Sequence, residues 1–305
     1  LSSTSSSLLI LTAACLWGTT GTVQQLAPAA ADPVAVGAVR IVLGGVLLAG
    51  LAAAAGRLGS LRSMGRAGWA VLAVGAVCIA IYQTSYFAAT DRTGVAVGTV
   101  VTIGSGPVFA GLLAAVFGHG RPSGRWLLAT AVSGSGCGLL VLSGDGGATA
   151  SIDPVGVGLA LLSGLGYASY ATAAAALIRR GADDLAVMGA LFGGAGIVLA
   201  PALALAPLGW LETGRGVLVA VYLGAVTTTL GYLLYGRGLR TTPVPVAATL
   251  TLVEPAIAAA LGVIVLGERL TPVGYGALGL LALGLVLLVT ALQDTSVDPV
   301  SAAPD

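Results

Sequence analysis

Lysine is absent from this chain, histidine occurs once, and charged residues make up only 8% of its 305 positions. A soluble domain carries about 25% charged residues, so so little charge excludes a water-exposed globular surface. The net charge of +1 excludes electrostatic nucleic-acid binding as a main activity. His119, in a short arginine-containing connection, reads as a solvated loop residue, and one histidine supplies neither a metal centre nor a hydrolytic constellation. The three cysteines, Cys15, Cys78 and Cys137, lie in apolar runs at no disulfide or metal-ligand spacing and read as small packing residues. No Gly-x-x-x-x-Gly-Lys-Ser/Thr loop is present, so no ATP or other cofactor is expected.

What the chain has instead is apolar length. Hydrophobic residues make up 57% of it, and the mean hydropathy is +1.01. At about 20 apolar residues per bilayer crossing, the sequence predicts an all-α membrane protein of ten transmembrane helices. These fall near 8–26, 34–55, 68–89, 94–117, 124–143, 154–178, 184–206, 214–237, 244–266 and 272–292. The connections are short and rich in Gly and Pro, leaving no room for a soluble domain. The start, Leu1-Ser2-Ser3-Thr4, lacks the basic region of a signal peptide, so the first run is expected to stay as a helix behind a trimmed start. Residues 293–305 are short, polar and expected to be a disordered tail.

Arginine sets the expected orientation. With a cytoplasmic N-terminus, Arg57, Arg62, Arg66, Arg121, Arg125, Arg179, Arg180, Arg237 and Arg240 fall inside, and only Arg92, Arg215 and Arg269 fall outside. Both termini are therefore expected in the cytoplasm, with the protein in the inner membrane. The chain also repeats at an offset of about 148: Pro107 meets Pro255 and, nearby, Pro122 meets Pro272. Five helices per half force the second half to enter from the other side. Residues 1–145 and 150–292 are thus expected as two inverted repeats.

Several residues then carry a resemblance to a known family. Leu16-Trp17-Gly18, Arg40, Val253-Glu254-Pro255 and Leu266-Gly267-Glu268-Arg269-Leu270-Thr271-Pro272 resemble the drug/metabolite transporter superfamily, specifically its ten-helix EamA-type permeases. The similarity covers both repeats, residues 8–290. It implies export or exchange of small metabolites, often amino acids, through a central cavity open alternately to each side. One departure is plain: the first half has Gly106-Pro107 and Gly118-His119 where the second has Glu254-Pro255 and Gly267-Glu268, so a carboxylate is not available in both halves.

The candidate site follows from what is costly in hydrocarbon. Glu254 and Pro255 sit together inside an apolar run, and Pro107 interrupts the matching helix; irregular backbone at membrane depth is tolerated where it lines a cavity. The carbonyls of Ile103 and Thr251, four residues before the prolines, are expected to lose their helical donors. Thr99 and Thr102 share the first of these helices. Tyr82, Gln83 and Tyr86, Tyr167 and Tyr170, and Tyr232 and Tyr235 cluster on three further helices, with Trp17 on the first. Their polar tips need partners or a ligand. The blander reading is that the prolines only kink packed helices and the rings form an interfacial belt. That belt explains Trp69, Trp126 and Trp210 at helix ends. Arg40 could snorkel to the boundary, and Glu268-Arg269 reads as an end-capping ion pair. A stripe of small residues, Gly134-Ser135-Gly136-Cys137-Gly138, fits close packing and leaves homodimerisation open.

The expected function is export or exchange of small metabolites by alternating access, amino acids leading and aromatic ones first, with proton coupling through Glu254 as one option. The rivals are a carrier of drugs or nucleotide-linked metabolites and a non-transporting membrane sensor. A nucleotide carrier wants more basic residues at membrane depth than Arg40 alone, and a sensor wants an output domain. The expected partners are a small-molecule substrate and membrane lipid; no enzyme activity is expected.

Overall fold

The computed structural model describes residues 3–117, 123–143, 153–267 and 271–294, which are helical with no strand among them. In chain order, α1 is Ser3–Gly18 continued by Thr20–Gln25, α2 is Pro33–Ala54, α3 is Gly65–Thr93 and α4 is Val97–Val116. Then come α5 at Gly124–Leu142, α6 at Pro154–Arg179, α7 at Asp184–Ala204 and α8 at Gly214–Gly238. The helix α9 runs through Val244–Leu250, Thr251–Val253 and Glu254–Leu266, and α10 is Pro272–Asp294. Among the described residues nine of these are long and apolar enough to cross a membrane, against ten expected. The one outside that set is α5. His119, Glu268-Arg269 and the tail past residue 294 lie outside the described residues.

Helix starts follow a repeated local rule. Asp32 accepts the Ala35 N–H at 2.9 Å and Pro33 takes the first position of α2, where its missing N–H is no loss. Asp153-Pro154 does the same for α6, with Asp153 accepting from Val155 at 3.0 Å. That hydrogen bond, with Arg92 beside it, holds the Asp153 carboxyl below its ordinary range. Asp183 caps α7 through the N–H groups of Leu185 and Ala186.

The sequence expectation of a loop between α3 and α4 needs correction. Helical hydrogen bonding continues from Gly65 to Val116, yet the chain folds back within it. Tyr86 Oη and Thr99 Oγ1 lie 2.9 Å apart, whereas thirteen residues of straight helix span about 20 Å. Gly98 permits the reversal: a Cβ there would lie 3.1 Å from the Thr90 backbone.

Four pairings organise the helices: α3 with α6, α2 with α7, α5 with α10, and α1 with α8. Glycine sets the closeness. Gly166 of α6 sits where a Cβ would be 2.9 Å from the Cys78 carbonyl of α3, and Gly189 of α7 is equally close to the Leu48 carbonyl of α2. Among apolar helices in lipid, such contact replaces the missing hydrophobic drive. Trp69 is half-exposed as a boundary ring would be, but Trp126 and Trp210 are buried. Trp210, in the α7–α8 connection, is buried in a cluster with Val36, Val39 and Val219, so the belt expectation fails for those two.

The two ends of the bundle differ in charge. At one, Arg57 pairs with Asp183 at 3.5 Å, Arg237 stands 3.7 Å from Asp184, and Arg240 hydrogen-bonds the same carboxylate. Arg179 donates to the Thr242 carbonyl there at 3.1 Å. At the other end Arg92 meets Asp153 at 3.3 Å and Arg215 donates to the Leu26 carbonyl. Asp184 is only 3% exposed while its two arginines are about half exposed. Replacing Asp184 by Asn is expected to lower stability by about 1–3 kcal/mol, below the loss for a fully buried pair. Thermal unfolding of the purified protein in detergent measures this; an unchanged Tm would show that Asp184 does not hold α7 to α8.

Candidate substrate cavity

The centre of the bundle is built around the break in α9. Regular α-helix stops at Leu250, one tighter turn covers Thr251–Val253, and helix resumes at Glu254. Pro255 therefore occupies the first turn of a new helical segment, where its ring and missing N–H are tolerated. The Thr251 carbonyl, expected to be free, accepts the Glu254 N–H within the tight turn. Pro107, by contrast, lies inside continuous helix, and it leaves the Ile103 carbonyl without its usual donor.

Leu16-Trp17-Gly18 fits onto this break. A Cβ at Gly18 would lie 2.7 Å from Ile257 Cβ and 2.8 Å from the Glu254 carbonyl, so only glycine lets α1 lie against α9. Trp17 Nε1 donates to the Thr227 carbonyl at 2.9 Å. That acceptor belongs to a wide π-helical stretch of α8, Tyr222–Leu230. There the hydroxyls of Thr228 and Thr229 each donate at 2.9 Å to carbonyls five residues back. Wide turns of this kind are frequent at functional sites.

These elements enclose a cavity of about 40 Å³, room for about three water molecules. Its wall is Trp17 from α1, Arg40 from α2, Tyr82 from α3, Thr102 and Ile103 from α4, Tyr167 from α6, Tyr232 from α8, and Thr251 and Glu254 from α9. Six residues expected at the site are therefore here: Trp17, Tyr82, Thr102, Tyr167, Tyr232 and Glu254. The rings touch in sequence. Trp17 and Tyr232 have centroids 4.7 Å apart, and Tyr82 and Tyr167 6.1 Å apart. Hydroxyls tie the wall together: Tyr167 Oη is 3.3 Å from Thr251 Oγ1, and Thr102 Oγ1 donates to the Ala160 carbonyl at 3.2 Å.

The other five expected residues stand outside that lining. Gln83 is buried and accepts from Arg40 Nη2 at 3.3 Å. Tyr86 and Thr99 bond each other at the α3–α4 fold-back. One helical turn shifts a side chain by about 5 Å, enough to take Tyr86 past the cavity that Tyr82 lines. Tyr170 packs edge-on against Phe192 of α7, ring centroids 6.0 Å apart. Tyr235 backs the wall through its hydroxyl, 3.1 Å from that of Tyr167.

The sequence reading left Arg40 either to pair with Glu254 or to snorkel to the boundary, and gave Thr227, Thr228 and Thr229 no role. Three consecutive threonines in an apolar helix were the available signal for the π-helical stretch. Arg40 gave its own signal, being the one arginine well inside an expected span rather than at its end.

A multi-pass helical bundle with a small polar chamber among its helices fits the build of a membrane carrier. Comparison agrees: the EamA-like transporter family matches the chain twice, over residues 4–142 and 154–290. The chain belongs to the EamA-like transporter family and is a multi-pass membrane transporter of small molecules. It is 37% identical over 285 residues to the uncharacterized transporter YwfM of Bacillus subtilis, covering 93% of this chain and 94% of that one. It is 32% identical over 209 residues to the uncharacterized protein PA1977 of Pseudomonas aeruginosa, 68% of each chain. A protein of known crystal structure shares the fold at a TM-score of 0.79 and 19% identity, with 95% of this chain and 99% of that one covered.

Substituting Gly18 by Ala is expected to lower stability by about 1–3 kcal/mol, because the methyl meets two atoms of α9 at overlapping distance. Thermal unfolding reads the loss. A Gly18→Ala protein as stable as the parent would mean that α1 and α9 are free to separate.

Proposed function

We propose that this transporter exports or exchanges amino acids, aromatic ones foremost, by alternating access between two inverted halves, residues 1–145 and 150–292. The cavity carries this reading: aromatic rings surround one carboxylate at a broken helix, a setting for an apolar side chain and an ammonium. The double family match supports two related halves. So do the pairings, since α2–α7 and α5–α10 each join equivalent helices of the halves, and α1–α8 corresponds to α3–α6. Segregation of arginine supports an inner-membrane location with both termini cytoplasmic. In that reading the small chamber is the contracted form, and substrate enters when the halves rock apart.

Counterflow in proteoliposomes preloaded with single amino acids tests this, with wild type and Glu254→Gln compared with and without a pH gradient. Exchange of aromatic amino acids is expected, with Glu254→Gln losing its response to the gradient. Unchanged behaviour of Glu254→Gln would reduce Glu254 to a structural group. If no amino acid exchanges, the substrate reading falls and the family assignment stands.

A further inference from the structure

Glu254 answers one end of such a substrate; the structure leaves a second charged group unexplained. Arg40 lies inside the membrane-spanning helix α2 and lines the same cavity. Among the described residues no carboxylate pairs with it. Its Nη2 donates to the Gln83 Oε1, and its Nε is buried without an acceptor. A guanidinium offers five donors in a planar fork, so most of its capacity is unspent, and a cation at membrane depth without a partner is costly. Across the same chamber Glu254 likewise makes no hydrogen bond or ion pair among the described residues. A guanidinium and a carboxyl group therefore share a cavity without meeting, the first on α2 and the second on α9.

We propose that the group completing this pair is a zwitterion, its carboxylate taken by Arg40 and its ammonium by Glu254, so that α-amino acids are selected over molecules carrying either charge alone. The inference rests on the amino-acid reading above and adds a second recognition residue to it. A dicarboxylate would set one of its charges against Glu254, and a simple amine would leave Arg40 unpaired. A zwitterion satisfies both while bringing no net charge into the low-dielectric chamber.

Gln83 is the positioning residue. It is buried behind the wall, seated against Gly37, where a Cβ would stand 2.7 Å from its Nε2. Its amide oxygen holds the guanidinium without neutralising it. A carboxylate at position 83 would have nearly the same shape but would itself consume the charge of Arg40. The Gln83→Glu variant therefore separates orientation from recognition.

The test is binding competition on purified full-length protein, with a radiolabelled aromatic amino acid as probe. The competitors are the unlabelled amino acid, its decarboxylated amine and its deaminated acid. Binding rather than flux keeps transport-dead variants readable, and thermal unfolding checks that each variant is folded. For wild type the amino acid is expected to compete about tenfold or more better than either one-ended analogue. In Arg40→Gln and in Gln83→Glu that preference over the amine is expected to collapse, whereas Arg40→Lys keeps part of it. Equal competition by amino acid and amine in wild type would overturn the zwitterion proposal and leave the amino-acid reading intact. A preference unchanged in both Arg40→Gln and Gln83→Glu would overturn it too. A wild-type protein that neither binds nor exchanges any amino acid would remove both readings together.

Discussion

Close approach of helix backbones is the constraint on which the rest of this structure depends. Lipid tails are as apolar as leucine, so apolar burial gives these helices little reason to associate. Packing at van der Waals distance must supply it, and glycine makes that possible where backbone meets backbone. Gly166 against the Cys78 carbonyl, Gly189 against that of Leu48 and Gly18 against that of Glu254 are three instances. Two of them join one half of the chain to the other through long helix pairs. The third brings α1 onto the break in α9, so the same device that holds the bundle together also builds the wall of its chamber.

Packed this tightly, the interior tolerates polar groups only where their partners are local. Threonine hydroxyls repeatedly donate to carbonyls one turn back, as Thr84 and Thr172 do. Such bonds need nothing from neighbouring helices. Polar contacts that cross between helices include several at or behind the cavity wall: Trp17 to Thr227, Tyr167 to Thr251 and Tyr235, Arg40 to Gln83. Each constrains where a ring or a charge can point. The chamber's shape is therefore held by long-range hydrogen bonds, while the bundle around it is held by glycine contacts.

This division explains what could be read from sequence. Spans are legible because hydrocarbon thickness fixes their length, and their starts because Asp32-Pro33 and Asp153-Pro154 each place a cap before a proline. The break at Glu254-Pro255 is legible because both residues are costly where they stand. Facing is harder. Tyr82 and Tyr86 share one side of α3 by periodicity, yet only Tyr82 lines the cavity, because depth along the helix decides and sequence does not mark depth. The unbroken helical bonding through the reversal inside Gly65–Val116 was illegible for a related reason, and the threonines of α8 only hinted at its π-helical stretch. Both are backbone geometries that ordinary helix-forming residues adopt when neighbouring helices demand it. Trp126 and Trp210 were placed at the boundary by a statistical preference that the local packing overrides.

The two stretches that match the family model differ at the centre of the bundle. Pro107 and Pro255 occupy matching positions, yet the first lies within continuous helix and the second opens a new segment after a tight turn. Gly106, beside Pro107, gives room to the Tyr167 ring, where a Cβ would be 3.1 Å away. Its counterpart Glu254 instead carries a carboxylate to the cavity wall. The first half presents a cation through Arg40, and α7 offers no charge at the wall in return. The chamber wall thus carries a guanidinium on the α2 side and a carboxyl group on the α9 side. On the proposed alternating-access reading, a molecule held between them is contacted by different halves at its two ends, so motion of one half against the other would break its hold on one end first.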